Sequence, residues 1–258
     1  IYRAGNPFLS TDKFFEESRV NKLTLLCLPY SGASAMVYSR WRRKLPAWLS
    51  VRPVELPGRG ARLGEALHTD MQALARQLAS EQRLAAHQPY AVLGHSLGAL
   101  VAFELVHELR ALGCPPPVAL FACGTAAPTR REGYDGQGWR EPMSDPQLMD
   151  ELRTLGGTPE EVLGNEELMS LTLPVLRADF LLCGRYMYRQ RPALHCPLHV
   201  LGGEDDRATR EQLLAWRQES QGDFSLEIFP GGHFFIHEHE DRVLGMLSQA
   251  LEPHRLTA

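Results

Sequence analysis

Residues 90–100, Tyr-Ala-Val-Leu-Gly-His-Ser-Leu-Gly-Ala-Leu, decide the fold of this chain. An apolar run typical of a buried strand leads through Gly-x-Ser-x-Gly directly into a run typical of a helix. A serine on so sharp a turn has a strained backbone and needs very small residues two places before and after it, which Gly94 and Gly98 supply. The following helix directs its free N–H groups at the serine oxygen, where negative charge develops during attack on a carbonyl. The pattern therefore predicts that Ser96 is a nucleophile.

Two later junctions between strand and loop carry a carboxylate cluster and a histidine. The apolar run 198–201 is followed by Gly202-Gly203-Glu204-Asp205-Asp206, and the run 226–229 is followed by Pro230-Gly231-Gly232-His233. Both groups follow the carboxyl end of a strand, where the loops of an open α/β sheet converge. The order serine, acid, histidine is that of the α/β-hydrolase architecture and differs from the orders found in other serine hydrolase folds.

Each of these residues meets a chemical need. A serine hydroxyl is a poor nucleophile at neutral pH, so we predict that His233 accepts the proton of Ser96. A carboxylate would hold the imidazole in the required tautomer and stabilise the imidazolium that forms. We predict Asp206 for this role, with Asp205 as the alternative and Glu204 as a more distant third.

An oxyanion hole requires two backbone N–H groups that point at the carbonyl oxygen under attack. Leu97, directly after the nucleophile, is the first predicted donor. The second belongs to the loop after the first predicted strand, Pro29-Tyr30-Ser31-Gly32. We predict Ser31 as this donor, with Tyr30 as the alternative one residue away.

Strand-like and helical stretches alternate along most of the chain. Parallel strands need crossover connections, which are usually helical, so this alternation predicts a mostly parallel central sheet flanked by helices. We therefore predict an α/β-hydrolase fold in a single domain over residues 1–258. The predicted strands are 22–28, 51–56, the run before Ser96, 118–123, 197–202 and 224–229; the predicted helices are 36–45, 70–87, the run from Ser96 to 112, 209–219 and 238–251.

Residues 128–191 interrupt this alternation. Helical patterns occur at 145–155, 159–163 and 166–188, and none of the segment has strand character. The segment is too long for a plain crossover. We predict that it forms a helical lid over the catalytic edge of the sheet, and that residues 1–20 are a lead-in arm without a motif.

Composition and sequence pattern argue against several classes of protein. The 258 residues are 44% hydrophobic and 22% charged, with a formal net charge of −4, which argues against a general nucleic-acid binder. No apolar run approaches the ~18 residues that span a bilayer, and no signal-peptide pattern is present at the start, so we expect a cytoplasmic protein. The five cysteines are scattered without C-x-x-C spacing, which predicts reduced thiols.

Several histidines have structural interpretations that we prefer. His95, within the nucleophile turn, is expected to pack or hydrogen-bond rather than act as a second base. His233, His237 and His239 alternate with acids, but H-E-x-x-H spacing is missing, so we predict no metal site.

A basic cluster surrounds Trp41 and comprises Arg40, Arg42, Arg43 and Lys44. Such a cluster is usually a solvated helix face, and the alternative is a contact with an acidic partner or a phosphate.

Six segments together resemble the type II thioesterases that accompany polyketide and nonribosomal peptide synthetases, and the related medium-chain thioesterase of fatty acid synthesis. The likeness extends from about residue 23 to residue 251. Its P-G-R and L-R-A-D motifs are specific, because a generic esterase has no need of them. The first loop has S-G-A where the family more often has A-G-G, a change that a backbone donor tolerates. The segments are 27–34, 55–62, 94–99, 155–159, 176–179 and 230–235.

The resemblance implies hydrolysis of acyl groups held as thioesters on the phosphopantetheine arm of an acyl or peptidyl carrier protein. Such hydrolysis removes stalled or misprimed units in antibiotic or siderophore biosynthesis. It implies a mobile lid beside the acyl chamber, which corresponds to 128–191, and no cofactor beyond the partner's own arm. We expect a monomer that binds neither nucleic acid nor membrane.

Two alternatives remain open at this level. A serine carboxylesterase acting on small esters would use the same constellation of residues. A catalytically silent binding protein of the same fold is the other alternative, and the intact serine, acid and histidine argue against it.

Overall fold

The computed structural model describes residues 22–131 and 137–255, so the predicted arm at 1–20 lies outside the described residues. Six strands form one sheet in the order β2-β1-β3-β4-β5-β6, and every neighbouring pair is parallel. The predicted α/β-hydrolase fold with a mostly parallel sheet is confirmed. The strands are β1 (Leu23–Leu28), β2 (Leu49–Pro53), β3 (Tyr90–His95), β4 (Leu120–Cys123), β5 (Leu198–Gly203) and β6 (Phe224–Phe229).

Helices connect the strands and cover both faces of the sheet. Those within the described residues are α1 (Trp41–Lys44), α2 (Met71–Gln82), α3 (Leu97–Ala111), α4 (Asp145–Leu155), α5 (Glu160–Leu163), α6 (Glu166–Gly184), α7 (Arg210–Leu214), α8 (Phe235–Glu238) and α9 (Glu240–Leu251).

The strand order reverses beside β1. The chain runs from β1 outward to the edge strand β2 and then returns to form β3 on the other side of β1. The loops that leave β1 and β3 therefore diverge and open a crevice at the carboxyl edge of the sheet, where α/β proteins bind ligands. The first predicted oxyanion loop and the predicted nucleophile border this crevice.

Two apolar clusters sandwich the sheet because successive side chains of a strand point to opposite faces. Leu26, Leu28 and Val92 belong to the cluster that includes α2, α3 and the lid helices. Leu25 and Leu93 belong to the other cluster, under α1 and α9. β1 and β3 are buried on both faces, which explains why they are nearly continuous apolar runs in the sequence.

The segment 128–191 contains α4, α5 and α6 and, in its described parts, no strand. Apolar side chains of these helices belong to the same cluster as β3 and α3, so the segment packs on the core of the sheet. Trp139 anchors its first part against α6, where its ring lies 4.5 Å from that of Phe180. The division of the chain into one domain with an inserted lid stays a prediction.

Some predicted boundaries are wrong. The strand predicted at 51–56 lies at Leu49–Pro53, because its pairing with β1 begins with Leu49 opposite Leu23. The helix predicted to reach residue 188 ends at Gly184. The helix predicted at 36–45 is a 3-10 turn followed by the short α1, and this break lets the rings of Tyr38 and Trp41 both enter the core.

The last two predicted helices are also divided. Only Arg210–Leu214 of the stretch 209–219 is α-helical, and a 3-10 turn completes it. The helix predicted at 238–251 begins after His239, whose backbone (φ −114°, ψ 31°) separates α8 from α9.

Candidate active site

Ser96 is the single residue between the end of β3 and the start of α3. Its backbone (φ 56°, ψ −118°) makes it the one non-glycine residue of the described chain with a positive φ. Such a conformation costs about 1–3 kcal/mol and persists only where the surroundings enforce it. Here the Ser96 amide donates to the Cys123 carbonyl at 2.8 Å, and its carbonyl accepts from the Ala99 amide at 3.0 Å. The turn therefore holds the half-buried serine at the mouth of the crevice.

The two glycines of the motif permit close contact between backbones. A Cβ on Gly94 would lie 2.0 Å from the Gly98 carbonyl oxygen, and one on Gly98 would lie 2.3 Å from the Leu28 carbonyl oxygen. Backbone atoms cannot move aside as flexible side chains do. Glycine at these positions is thus required for the first turn of α3 to lie directly against β1 and β3.

His233 and Asp206 meet at the ends of β6 and β5. The Nδ1 of His233 lies 3.0 Å from Oδ1 and 3.1 Å from Oδ2 of Asp206. Both side chains are buried, with 8% and 1% of their surface exposed. Asp206 Oδ1 also accepts from the Arg207 amide at 2.6 Å, so the carboxylate is held by its own loop as well as by the imidazole.

Backbone hydrogen bonds between the two loops select Asp206 from the cluster of three acids. The Glu204 amide donates to the Phe229 carbonyl at 2.8 Å, and the Asp205 amide donates to the Gly231 carbonyl at 3.0 Å. Both of these acids are solvent-exposed. The alternatives Asp205 and Glu204 therefore do not reach His233 in this structure.

Ser96 and His233 line a common cavity of about 250 Å³. The floor of the cavity is the carboxyl edge of the sheet, and α4, α5 and α6 form much of its wall, which Trp139 and Arg207 also line. The structure thus brings together the serine, the histidine and, behind it, the acid, whose catalytic roles stay a prediction. The apolar side chains that line the cavity from the helices are Leu152, Leu155, Val162, Met169, Leu176 and Phe180.

The predicted oxyanion donors lie on the same cavity. Ser31 and Leu97 both line it, as does the alternative Tyr30. Two amides later in this loop are already engaged, since Gly32 donates to Asp179 Oδ2 at 2.8 Å and Ala33 donates to the Tyr30 carbonyl at 3.1 Å. The choice between Ser31 and Tyr30 therefore stays open, and the later amides are excluded.

His95 lies behind the site in an aromatic cluster. Its ring centroid is 5.0 Å from that of His233 and 5.7 Å from that of Tyr30. Complete burial, and then repulsion from His233 and His237, holds the pKa of His95 well below its ordinary value. A base with so low a pKa remains neutral at pH 7, in agreement with the packing role predicted for it.

The neighbouring histidines have separate partners. His237 Nε2 lies 3.1 Å from the Tyr30 hydroxyl, and His239 Nε2 lies 3.0 Å from the Pro230 carbonyl oxygen. Within residues 22–131 and 137–255, no group of three or more histidine, cysteine or carboxylate side chains is arranged to hold a metal ion.

Sequence reasoning missed a buried ion pair that joins α6 to the loop after β2. Asp179 of α6 has no exposed surface, and Arg59, in the loop after β2, is 6% exposed. The guanidinium donates to both carboxylate oxygens, at 2.5 and 2.7 Å. Arg59 ends the P-G-R motif and Asp179 ends the L-R-A-D motif. The only indication of the pair in the sequence was that neither motif is explained by the turn or helix in which it lies.

The basic cluster around Trp41 is largely satisfied within the chain. Arg40 and Lys44 both pair with Glu240 at the start of α9, at 2.7 and 2.6 Å. Both side chains are nevertheless solvent-exposed, at 59% and 43%, in agreement with the interpretation as a solvated face. Arg42 and Arg43 are exposed as well.

The chain has a strained serine between a strand and a helix, and later in the sequence an acid and then a histidine at neighbouring strand ends. This arrangement defines a serine hydrolase of the α/β-hydrolase fold. The family described as Thioesterase domain matches residues 23–251, and the chain belongs to that family.

Relatives and solved structures narrow the class. The gramicidin S biosynthesis protein GrsT of Aneurinibacillus migulanus is 37% identical, over 93% of this chain and 94% of the relative. The type II thioesterase BorB of the borrelidin biosynthetic cluster is 38% identical with a TM-score of 0.80, over 89% and 93% of the two chains. ClbQ of the colibactin NRPS/PKS pathway is 34% identical with a TM-score of 0.83, over 90% and 98%.

These comparisons confirm the resemblance to type II thioesterases and identify the chain as a hydrolase. They do not favour the carboxylesterase alternative. In the described part of the chain, no helix has both the length and the apolar character needed to cross a membrane. All five cysteines are buried and free, as the scattered spacing predicted.

Proposed function

We propose that this chain is a discrete editing thioesterase that removes stalled or misprimed acyl groups from the phosphopantetheine arm of a carrier protein in nonribosomal peptide or polyketide synthesis. The observation that carries the proposal is a serine and a histidine on one cavity whose helical wall is mostly apolar, with Arg131 and Arg207 also lining the cavity. An apolar chamber beside a nucleophile suits an acyl chain whose carbonyl carbon rests against the serine.

The first half of the reaction transfers the acyl group to the enzyme. His233 removes the proton of the Ser96 hydroxyl as its oxygen attacks the thioester carbonyl. The carbonyl oxygen gains negative charge and accepts hydrogen bonds from the amides of Leu97 and Ser31. Collapse of this intermediate breaks the carbon–sulfur bond, and the imidazolium returns its proton to the departing sulfur. A thiol has a pKa of about 8.5, so it leaves more readily than an amine.

The second half uses water. His233 takes a proton from a water molecule as that water attacks the acyl-serine carbonyl. Collapse breaks the bond to the Ser96 oxygen, which recovers its proton from His233, and the carboxylic acid leaves. Asp206, bonded to Nδ1, keeps Nε2 directed at the serine and stabilises the imidazolium in both halves.

The proposed partner is an acyl or peptidyl carrier protein, and the enzyme needs no cofactor of its own because the phosphopantetheine arrives on that partner. We propose that it works as a monomer in the cytoplasm, without nucleic acid or membrane. The formal net charge of −4 supports the absence of a nucleic-acid partner.

The test measures release of a short acyl group from a carrier protein and, in parallel, from an oxygen ester of the same acid. Ser96→Ala should abolish turnover of the carrier thioester, whereas Ser248→Ala, a serine of α9 whose hydroxyl bonds to the Leu244 carbonyl, should leave it unchanged. Unchanged turnover in Ser96→Ala would remove the nucleophile assignment. Faster cleavage of the oxygen ester than of the thioester by the wild type would indicate a carboxylesterase.

A further inference from the structure

The Asp179 carboxylate accepts hydrogen bonds from two residues in different parts of the fold. Oδ1 and Oδ2 receive the two guanidinium nitrogens of Arg59, and Oδ2 also accepts the Gly32 amide at 2.8 Å. Gly32 directly follows Ser31, the predicted oxyanion donor. One buried side chain on the lid helix α6 is therefore bonded to the loop that completes the oxyanion hole.

Direct packing reinforces this connection. Gly32 has a φ of +76°, and a Cβ there would lie 2.6 Å from Leu176 Cδ2 of α6. Leu176 also lines the cavity that contains Ser96. The same turn of α6 thus forms a wall of the acyl chamber and fixes the peptide next to Ser31.

We propose that Arg59 and Asp179 are positioning residues that couple the seating of the lid helix to the geometry of the oxyanion hole. Arg59 holds the Asp179 carboxylate, and Asp179 orients the Ser31–Gly32 peptide through the Gly32 amide. The coupling rests on the proposed function only in that Ser96 attacks an acyl carbonyl, whatever carries the acyl group.

A second ion pair of the same chemistry offers a matched control. Glu104 of α3, with no exposed surface, accepts Arg191 through both oxygens at 2.6 and 2.9 Å. Its other partners are Gln72 and Tyr186, and neither belongs to the oxyanion loop. This pair joins the end of the segment 128–191 to α3 and has no hydrogen bond to the oxyanion loop, so it isolates the effect of Asp179 on Gly32.

Two variants separate positioning from simple stabilisation. Asp179→Asn retains an oxygen at the Oδ2 position for the Gly32 amide but leaves Arg59 without a negative partner, so it should lose stability and show a smaller loss of kcat than a variant without that acceptor. Arg59→Met with Asp179→Leu replaces the pair by apolar groups of similar size, a change that is often neutral or stabilising, but it removes the acceptor of the Gly32 amide.

The double variant should therefore be more stable than Asp179→Asn but have the lower kcat. Removal of one oxyanion donor lowers kcat about 100- to 1,000-fold in a serine protease, so a displaced donor should lower kcat of the double variant by about 10- to 100-fold with little change in KM. If Arg59 and Asp179 only stabilise the fold, the stable double variant should instead have the kcat of the wild type. The control Glu104→Leu with Arg191→Met should keep the kcat of the folded enzyme.

The experiment measures thermal unfolding, kcat and KM for the wild type, Asp179→Asn and both double variants. Each is assayed on a carrier-bound acyl thioester and on a small soluble thioester. Wild-type kcat in the Arg59→Met/Asp179→Leu variant, or an equal loss in the Glu104 and Arg191 control, would overturn the proposal. If the wild type cleaves only the small thioester while the double variant still loses kcat, the carrier assignment fails and the positioning role stands.

Discussion

Gly98→Ala is the most direct test of how the nucleophile turn is built. The added Cβ would lie 2.3 Å from the Leu28 carbonyl oxygen and 2.7 Å from that of Pro29. Non-bonded carbon contacts are comfortable at about 3.5 Å, so α3 must withdraw from β1 by roughly 1 Å. Overpacking of this kind typically costs about 1–3 kcal/mol of unfolding free energy.

The same displacement should impair catalysis, because α3 begins at Leu97, one predicted oxyanion donor, and β1 leads into the loop of Ser31, the other predicted donor. A misplacement of about 1 Å can reduce the rate by about 100-fold. Urea unfolding gives the stability, and hydrolysis of a soluble acyl thioester gives kcat.

Gly245→Ala is the matched control for this substitution. Gly245 is a solvent-exposed residue in the middle of α9, and a Cβ there meets nothing within 4 Å. Alanine should stabilise that helix by about 0.5–1 kcal/mol and leave kcat unchanged. A Gly98→Ala variant as stable and as active as the wild type would contradict this close packing of α3 on β1.

Three further outcomes are expected. Asp206→Asn should lower kcat by up to about 10,000-fold, whereas Asp205→Asn should leave it near wild type in the same thioester assay; equal losses would contradict the assignment of the acid. Burial, and then the charges of Arg191 and Arg110, lower the pKa of His107 to about 3, so the unfolded state takes up a proton below pH ~6.5 that the folded state does not. Urea titrations from pH 7 to pH 4 should show falling stability in the wild type and a smaller fall in His107→Gln; parallel curves would refute this. Arg43→Glu should slow hydrolysis of the carrier thioester more than that of a soluble thioester, and an equal effect on both would exclude this exposed arginine from carrier binding.

Local patterns in the sequence were sufficient to predict much of the fold. All six strands correspond to predicted strands. The inner strands β1, β3 and β4 are buried on both faces and carry few polar residues, whereas the edge strands β2 and β6 are partly exposed and include Arg52 and Glu227. The boundary of β2 was misplaced because its register depends on pairing with β1, which no local pattern records. The break before Trp41 was missed for a related reason, since packing on the sheet overrode helical spacing.

The candidate site, too, was predictable in part from the sequence and in part only from the fold. The loops that carry Ser96, the acid cluster and His233 were predictable because each follows the end of a strand in the order that the fold requires. The choice of Asp206 over Asp205 depends on the bond from the Asp205 amide to Gly231, on a neighbouring loop. That contact exists only after β5 and β6 have paired.

By itself the sequence determined the sheet, the nucleophile turn and the class of chemistry, because periodicity, turn residues and loop order are local properties of the chain. The resemblance carried by its motifs pointed to the thioester. Only the tertiary structure decided which acid faces His233 and that Arg59 and Asp179 meet, 120 residues apart in sequence. A buried charge is tolerable only where a partner reaches it, and folding alone determines which partner that is.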